Sequence, residues 1–172
     1  MVPKREQGPP LPPHNIEAEQ AVLGSILLGG SDGGQIRKAI LTRLRPEHFW
    51  REQHQIIYEA MLAVNEGGRP PDFVVVADEL EQRGQLEEAG DRSYLVSLTL
   101  APASWLNGEY YTDIVARLAR ERRAREIGME LYAASQKGLE SRVGELRAEL
   151  ENLDEEVHSA RRVVSFEVKD GE

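Results

Sequence analysis

The side chains best suited to chemistry in this chain are its four histidines, but their spacing does not favour catalysis or metal binding. His48 and His54 are six residues apart, so a helix would place them on different faces. We find no HExxH zinc motif, no pair of carboxylates at catalytic spacing and no nucleophile elbow. The chain has no cysteine, which excludes thiolate metal ligands. We therefore predict no catalytic residue and no metal ligand, with the histidines on the surface or partly packed.

Nucleotide chemistry is not expected either. A phosphate-binding loop of the form GxxxxGK[ST] uses backbone N–H groups and a lysine to neutralise phosphates, and the sequence contains no such loop. We predict no cofactor in this chain, neither ATP nor Mg²⁺, and no enzymatic activity. A formal net charge of −9 argues against DNA binding by bulk electrostatics, which requires clustered excess Lys and Arg. Protein partners are favoured.

Membrane association is not predicted. The sequence has no apolar stretch of the roughly 18 residues that would span a bilayer. Its first residues, MVPKR, lack the apolar core of a signal peptide. We expect a cytoplasmic protein.

Charged residues of opposite sign are segregated in the C-terminal half. Five arginines lie in the range 117–125, and five acidic residues lie in the range 149–156. Folding back around Gly138 would bring residue 123 level with about residue 153, so that the two runs face each other. Exposed ion pairs contribute only about 0 to 1 kcal/mol each to stability. We therefore expect these pairs to set the register of the two helices and the choice of partner. Weak contact of the arginine run with DNA, as in a helical DNA-binding regulator, is an alternative.

Two long helices carry these charges. Residues 109–136 contain no proline and one glycine, which predicts a continuous helix of about 40 Å. After Gly138, apolar residues recur from Leu139 to Val157 at alternating spacings of four and three, a heptad pattern. Two such helices joined by a short turn form an antiparallel hairpin.

A projecting hairpin can bury only one of its flanks internally. The remaining apolar flank predicts association with a second hairpin, most simply by two-fold symmetry. Trp105, before the long helix, is either a core plug or an exposed anchor for a partner. The residues that we predict for the oligomer or partner interface are Tyr110, Tyr111, Ile114, Leu118, Arg122, Ile127, Leu131, Leu139, Val143, Leu146, Leu150 and Leu153.

The N-terminal half predicts a series of short helices. Asn15 can accept a backbone N–H as N-cap of a helix that starts at about Ile16 and ends at Gly29 and Gly30. Gly24 inside this helix predicts close approach of a neighbouring helix, or is simply tolerated. Similar signals predict four more helices, over residues 36–44, 52–65, 73–83 and 91–101, with Asp72 and Asp91 as N-caps of the last two.

The predicted fold is all-α, with a compact head of five to six helices followed by a long antiparallel two-helix hairpin. The organisation that we expect is a flexible Pro-rich arm at 1–13, a helical head at 14–104, the hairpin at 105–158, and a tail or the start of a linker at 159–172.

Five blocks of this sequence resemble, in order, the N-terminal domain of bacterial replicative DNA helicases, the DnaB family. The opening block is PPHNIEAEQAVLGSILL at residues 12–28, and the resemblance extends to about residue 135. The later blocks contain His54, Ile56, Tyr58, Ala60 and Met61; Pro71 and Asp72; Arg83, Gly84, Leu86, Glu87, Gly90, Tyr94 and Leu95; and Pro102, Asn107, Tyr111, Ile114 and Val115. Asp91 stands where the family often has a second glycine.

The resemblance implies a helicase collar that pairs through its hairpins and builds a trimer of dimers, a hexamer, above the motor ring. It also implies docking of primase and of a helicase loader. ATP, Mg²⁺ and unwinding would belong to the motor domain, which this sequence lacks. A stand-alone phage or plasmid accessory protein that imitates the collar is a further alternative with the same fold.

Overall fold

The computed structural model describes residues 11–29 and 34–166, with side chains as far as Leu153. Over these ranges the protein is entirely helical, as predicted, and contains no strand. Its α-helices are α1 (Ile16–Leu28), α2 (Gly34–Arg43), α3 (Glu52–Glu66), α4 (Phe73–Gln82), α5 (Asp91–Thr99), α6 (Gly108–Gln136) and α7 (Glu140–Phe166). Short 3-10 turns lie at Pro46–His48 and Trp105–Asn107.

The chain divides between Ala119 and Arg120 into two compact units, which we call the head and the hairpin. The head extends beyond its predicted end at residue 104, because Val115 and Ala116 of α6 belong to its hydrophobic core. The hairpin helix α7 continues to Phe166, past the predicted end at residue 158. Most of the predicted arm, residues 1–10, and the end of the predicted tail, residues 167–172, lie outside the described residues.

Helix α1 is the central element of the head. Asn15 caps it as predicted, since its side-chain oxygen accepts the Ala18 N–H at 2.9 Å. The helix contacts α2, α3 and α5. Nearly every residue from Ala18 to Leu27 is buried, which explains why α1 is apolar around most of its circumference.

Gly24 is the point of closest approach between α1 and the end of α5. A Cβ at this position would lie 2.1 Å from the Leu98 carbonyl oxygen and 2.7 Å from Pro102 Cδ. The first of the two sequence interpretations, close backbone approach, is therefore correct. The mid-helix glycine is a packing requirement, which outweighs its helix-propensity cost of about 1 kcal/mol.

Tyr58 of α3 joins the end of α2 to the core of the head. Its buried hydroxyl lies 3.3 Å from the carbonyl oxygens of Ile40 and Leu44. The Ile40 carbonyl also accepts the Leu44 N–H at 3.1 Å. Burial raises the pKa of the Tyr58 hydroxyl above its usual value. The neutral hydroxyl therefore donates to the carbonyl oxygens at the end of α2.

Residues 73–76, FVVV, form the start of helix α4, although β-branched runs often favour strands. Asp72 accepts the Val75 N–H at 3.0 Å, the predicted N-cap bond. The prediction for α5 was wrong in detail, because Gly90 is the N-cap and Asp91 is the first helical residue. Asp91 has a φ of 62°, a conformation that normally favours glycine.

The hairpin turns at Gly138, as predicted. Gly138 has a φ of 65°, and the following Leu139 N–H donates to the Ala134 carbonyl at 3.0 Å, which closes the C-terminal end of α6. Ile127, Ala134 and Leu146 are buried between the two helices. A buried Ile or Leu contributes about 1.5 to 3 kcal/mol, so this seam outweighs any single exposed ion pair.

The register of the hairpin differs from the predicted one by a helical turn. Arg123 of α6 meets Glu149 of α7 at 2.7 Å, and Glu130 meets Arg142 at 2.7 Å. Residue 123 was expected opposite residue 153. The heptad pattern fixes which faces meet, but it repeats along the helix and so leaves their longitudinal offset open.

None of the helices in the described ranges is both long and apolar enough to cross a membrane.

Candidate protein-interaction surface

The hairpin exposes large apolar side chains on both of its helices. Met129 and Tyr132 of α6 are 67% and 70% exposed. Leu139, just before α7, is 50% exposed, and Leu150 on α7 is 37% exposed. Large apolar side chains exposed to water favour association with another surface, so these residues are the candidates for protein interaction.

The structure divides the predicted interface residues of the hairpin into two groups. Ile127 and Leu146 are fully buried between α6 and α7, and Leu131, Val143 and Leu153 pack against them. These five side chains hold the hairpin together. Leu139 and Leu150 keep much of their surface accessible, and their role at an interface stays a prediction.

The predicted interface residues near the start of α6 lie mostly within the head. Tyr111 and Ile114 pack against its core, whereas Tyr110 is 72% exposed. Leu118 is half-buried. Arg122, in the hairpin, is buried despite its charge. Of this group, Tyr110 is the side chain best placed to meet another molecule.

Trp105 is half-buried and lies in a 3-10 turn. The side chain of Ser104 caps this turn by accepting the Leu106 N–H. This turn contacts α1, so Trp105 lies partly packed within the head. The next residue, Leu106, is 59% exposed. The two sequence interpretations of Trp105, core plug and partner anchor, therefore both remain compatible with its position.

Sequence reasoning missed Met129 and Tyr132. Both were placed inside a long helix whose apolar face was defined by Ile127 and Leu131, and neither fits the spacing of that face. The signal that could have found them was their position on the opposite side of the helix, about half a turn from Ile127. Exposed Met and Tyr are typical of interface residues.

A network of charges crosses the hairpin. Arg123 lies within 3.2 Å of carboxylate oxygens of Glu126 and Glu130, in addition to its bond with Glu149. The hydrogen bond that Arg123 donates to Glu149 is the main cause of a raised pKa at Arg123. Since three carboxylates surround this guanidinium, it is poorly placed to attract DNA phosphates.

Acid is expected to weaken the hairpin through Glu130. The hydrogen bond from Arg142, with a further bond from Arg123, lowers the pKa of the Glu130 carboxyl. Because this pKa is lower in the folded chain, ionised Glu130 stabilises the hairpin at pH values above its unfolded-state pKa of about 4.3. This stability is lost as the pH falls through the folded-state pKa. The protection factors of hairpin amides, which are corrected for the intrinsic pH dependence of exchange, should therefore fall below about pH 4. The Glu130→Gln variant should show a smaller fall in protection, and identical profiles would contradict the assignment.

A second polar cluster is buried in the head and was not predicted. His54 is fully buried, with Nδ1 2.6 Å from Glu19 Oε2 and Nε2 2.7 Å from the Tyr94 hydroxyl. Glu19 Oε1 accepts the Trp50 N–H at 2.7 Å, and Gln20 donates to the Tyr94 hydroxyl at 3.1 Å. The expectation of a surface or partly packed histidine was wrong for His54, because the pairing with Glu19 lies between residues 35 positions apart.

This cluster links α1, α3 and α5, and its groups satisfy one another. Among the described residues, no buried side-chain nitrogen or oxygen lacks a hydrogen-bond partner. The same residues contain no group of three or more potential ligands that could hold a metal ion. The arrangement therefore stabilises the head, and we assign it no chemical step.

The described residues define a class of protein, namely an all-helical domain whose hairpin exposes apolar side chains. The model of the DnaB-like helicase N terminal domain family matches residues 11–117. The chain therefore belongs to this family.

Similar proteins include replicative DNA helicases of bacteria. The replicative DNA helicase DnaC of Bacillus subtilis is 37% identical over 165 residues, which cover 93% of this chain and 34% of the helicase. The replicative DNA helicase DnaB of Geobacillus stearothermophilus is 44% identical over 105 residues, which cover 61% of this chain and 22% of the helicase. The chain thus spans about a third of the length of the Bacillus helicase.

Solved structures show the same fold. The N-terminal domain of DnaB helicase from Mycobacterium tuberculosis superimposes with a TM-score of 0.73 at 38% identity, covering 81% of this chain and 99% of that one. A DnaB-like replicative helicase, described with its interactions with primase, gives a TM-score of 0.65 at 26% identity, covering 92% and 36%. The predicted family and the all-α fold are both confirmed.

Proposed function

We propose that this chain is the N-terminal collar domain of a replicative DNA helicase, which associates with itself and provides the docking surface for primase. Family membership supports the first part of this proposal. Support for the second part comes from the DnaB-like helicase of similar fold, which is described with its interactions with primase.

The observation that carries the proposal is the exposed apolar surface of the hairpin. Met129 and Tyr132 are about two-thirds exposed, in a unit whose own core contains three fully packed side chains, Ile127, Ala134 and Leu146. The hairpin thus has apolar residues both in its core and on its surface. A helix that exposes Met and Tyr in water gains free energy by covering them with a partner.

The finer assignments follow from the same proposal. The self-associated form is a dimer or a trimer of dimers, and a helicase loader is a second protein that this collar receives. ATP hydrolysis, with its Mg²⁺, is assigned to a motor domain outside this sequence. A stand-alone accessory protein would use the same surface in the same way.

Light scattering across protein concentration tests the proposal. We expect the mass of the chain alone to rise to at least that of a dimer, and to rise further when the primase of the same organism is added. A monomer at every concentration would overturn self-association, and an unchanged mass with primase would overturn docking. A charge at Leu146 is unsuitable as a probe, because this side chain is fully buried and its replacement would unfold the hairpin.

A further inference from the structure

Each of the two hairpin helices has one glycine in its interior, Gly128 in α6 and Gly144 in α7. We call these two residues the glycine pair. Glu130 of α6 is bonded to Arg142 of α7, which fixes the two helices against each other in this region. One glycine lies two residues before Glu130 and the other lies two residues after Arg142, so the antiparallel register places them at the same level of the hairpin.

Packing within the chain does not require either member of the glycine pair. A Cβ added at Gly128 or at Gly144 would meet no atom within 4 Å, in contrast to Gly24 of the head. Alanine would therefore fit at both positions and would stabilise both helices, because glycine loses more backbone freedom than alanine when it becomes helical. The hairpin thus has one level at which both of its helices resist bending less than elsewhere.

An ion pair spans the glycine of each helix. On α6, Arg123 Nη1 lies 3.2 Å from Glu130 Oε1, and the glycine is between these two residues in the chain. On α7, Arg142 Nη1 lies 3.1 Å from Glu145 Oε2, again with the glycine between them. Glu130 Oε2 also accepts from Arg142 Nη2 at 2.7 Å, so the two ion pairs are joined to each other. They connect the segments on the two sides of the glycine pair.

We propose that the glycine pair is a hinge at which the tip of the hairpin, residues 129–143, bends relative to the rest of the hairpin, and that the two ion pairs hold this hinge straight. Exposed ion pairs are individually weak, so the straight form is favoured without being locked. The tip carries the exposed Met129, Tyr132 and Leu139, and bending changes the direction in which these apolar side chains face. The hinge belongs to a single chain and does not depend on self-association.

Pulsed electron paramagnetic resonance between two spin labels measures the bending. The natural chain contains no cysteine, so labels can be attached through Lys137→Cys at the tip and Glu151→Cys beyond the hinge, both at exposed positions. The two sites lie about 20 Å apart along the hairpin. Dilution with unlabelled chain restricts the measurement to pairs within one molecule. We expect a broad distance distribution, which Gly128→Ala/Gly144→Ala narrows because alanine stiffens both helices at the hinge.

Ser135→Ala/Ser141→Ala is the matched control. It also introduces one alanine into each helix, at exposed positions away from the glycine pair, and should leave the width of the distribution unchanged. Glu130→Gln removes the shared carboxylate of the ion pairs and should broaden the distribution. In the chain that carries both glycine-to-alanine substitutions, Glu130→Gln should have no such effect, because the hinge is already stiff.

Hydrogen exchange provides an independent measurement. Each glycine-to-alanine substitution should raise the protection factors of the amides next to it about fivefold, since glycine is less stable than alanine in an exposed helix by roughly that factor. Equal distance distributions for the natural chain and the Gly128→Ala/Gly144→Ala variant would overturn the hinge. Loss of self-association in that variant, with an unchanged distribution, would instead make the glycines contact points for another chain. An unchanged distribution in Glu130→Gln would overturn the role of the ion pairs.

Discussion

Gly24→Ala is expected to destabilise the head by about 3 kcal/mol or more, the upper range for overpacking a core. The added methyl group would lie 2.1 Å from the Leu98 carbonyl oxygen, a distance that no rotamer change can relieve because the obstacle is backbone. Helices α1 and α5 must therefore separate, and the core between them loses contacts. Urea unfolding followed by circular dichroism measures the loss.

Gly34→Ala is the matched control for this substitution. Gly34 also lies in a helix of the head, but an added Cβ there meets no atom within 4 Å. The free energy of unfolding of the Gly34→Ala variant should differ from that of the natural chain by no more than about 0.5 kcal/mol. Equal stability of the two variants would show that α1 and α5 do not approach as closely as the structure indicates.

Local signals in the sequence specified most of the helices. The Asn15 and Asp72 caps, the break at Gly138 and the apolar spacing of α3 depend on residues within one turn of each other, and all were predictable. Asp91 is the exception. Aspartate is suited both to the N-cap and to the first helical position, so its residue type alone did not distinguish the two. The structure gives the cap to Gly90 instead.

Features that depend on two distant segments were not predictable. The heptad pattern of α7 identified the face that meets α6, yet the partner of Arg123 was misplaced by one helical turn. The exposed Met129 and Tyr132 were overlooked because periodicity emphasises the buried face of a helix. Apolar residues on the exposed side of an amphipathic helix fall outside the periodic pattern that identifies its buried face.

Glu19→Ala should cost about 1 to 3 kcal/mol of stability, the loss expected when buried hydrogen-bond donors are left without their acceptor. Glu19 is almost completely buried, and its carboxylate accepts from His54 Nδ1 at 2.6 Å and from the Trp50 N–H at 2.7 Å. The buried His54 ring and the Trp50 N–H would both lose their acceptor. Glu17→Ala, exposed in the same first turn of α1, should cost less than about 1 kcal/mol, since it loses only the interaction with the helix dipole.

A double-mutant cycle between Glu19 and His54 decides whether the cluster acts as one unit. Glu19 and the Tyr94 hydroxyl contact the two ring nitrogens of His54, and Gln20 donates to the same hydroxyl. Loss of either residue therefore disrupts the same chain of bonds from α1 to α5. The Glu19→Ala/His54→Ala variant should lose less stability than the sum of the two single losses, by about 0.5 to 3 kcal/mol. Strict additivity would mean that each residue acts through separate contacts, and that α1, α3 and α5 are held together by apolar packing alone.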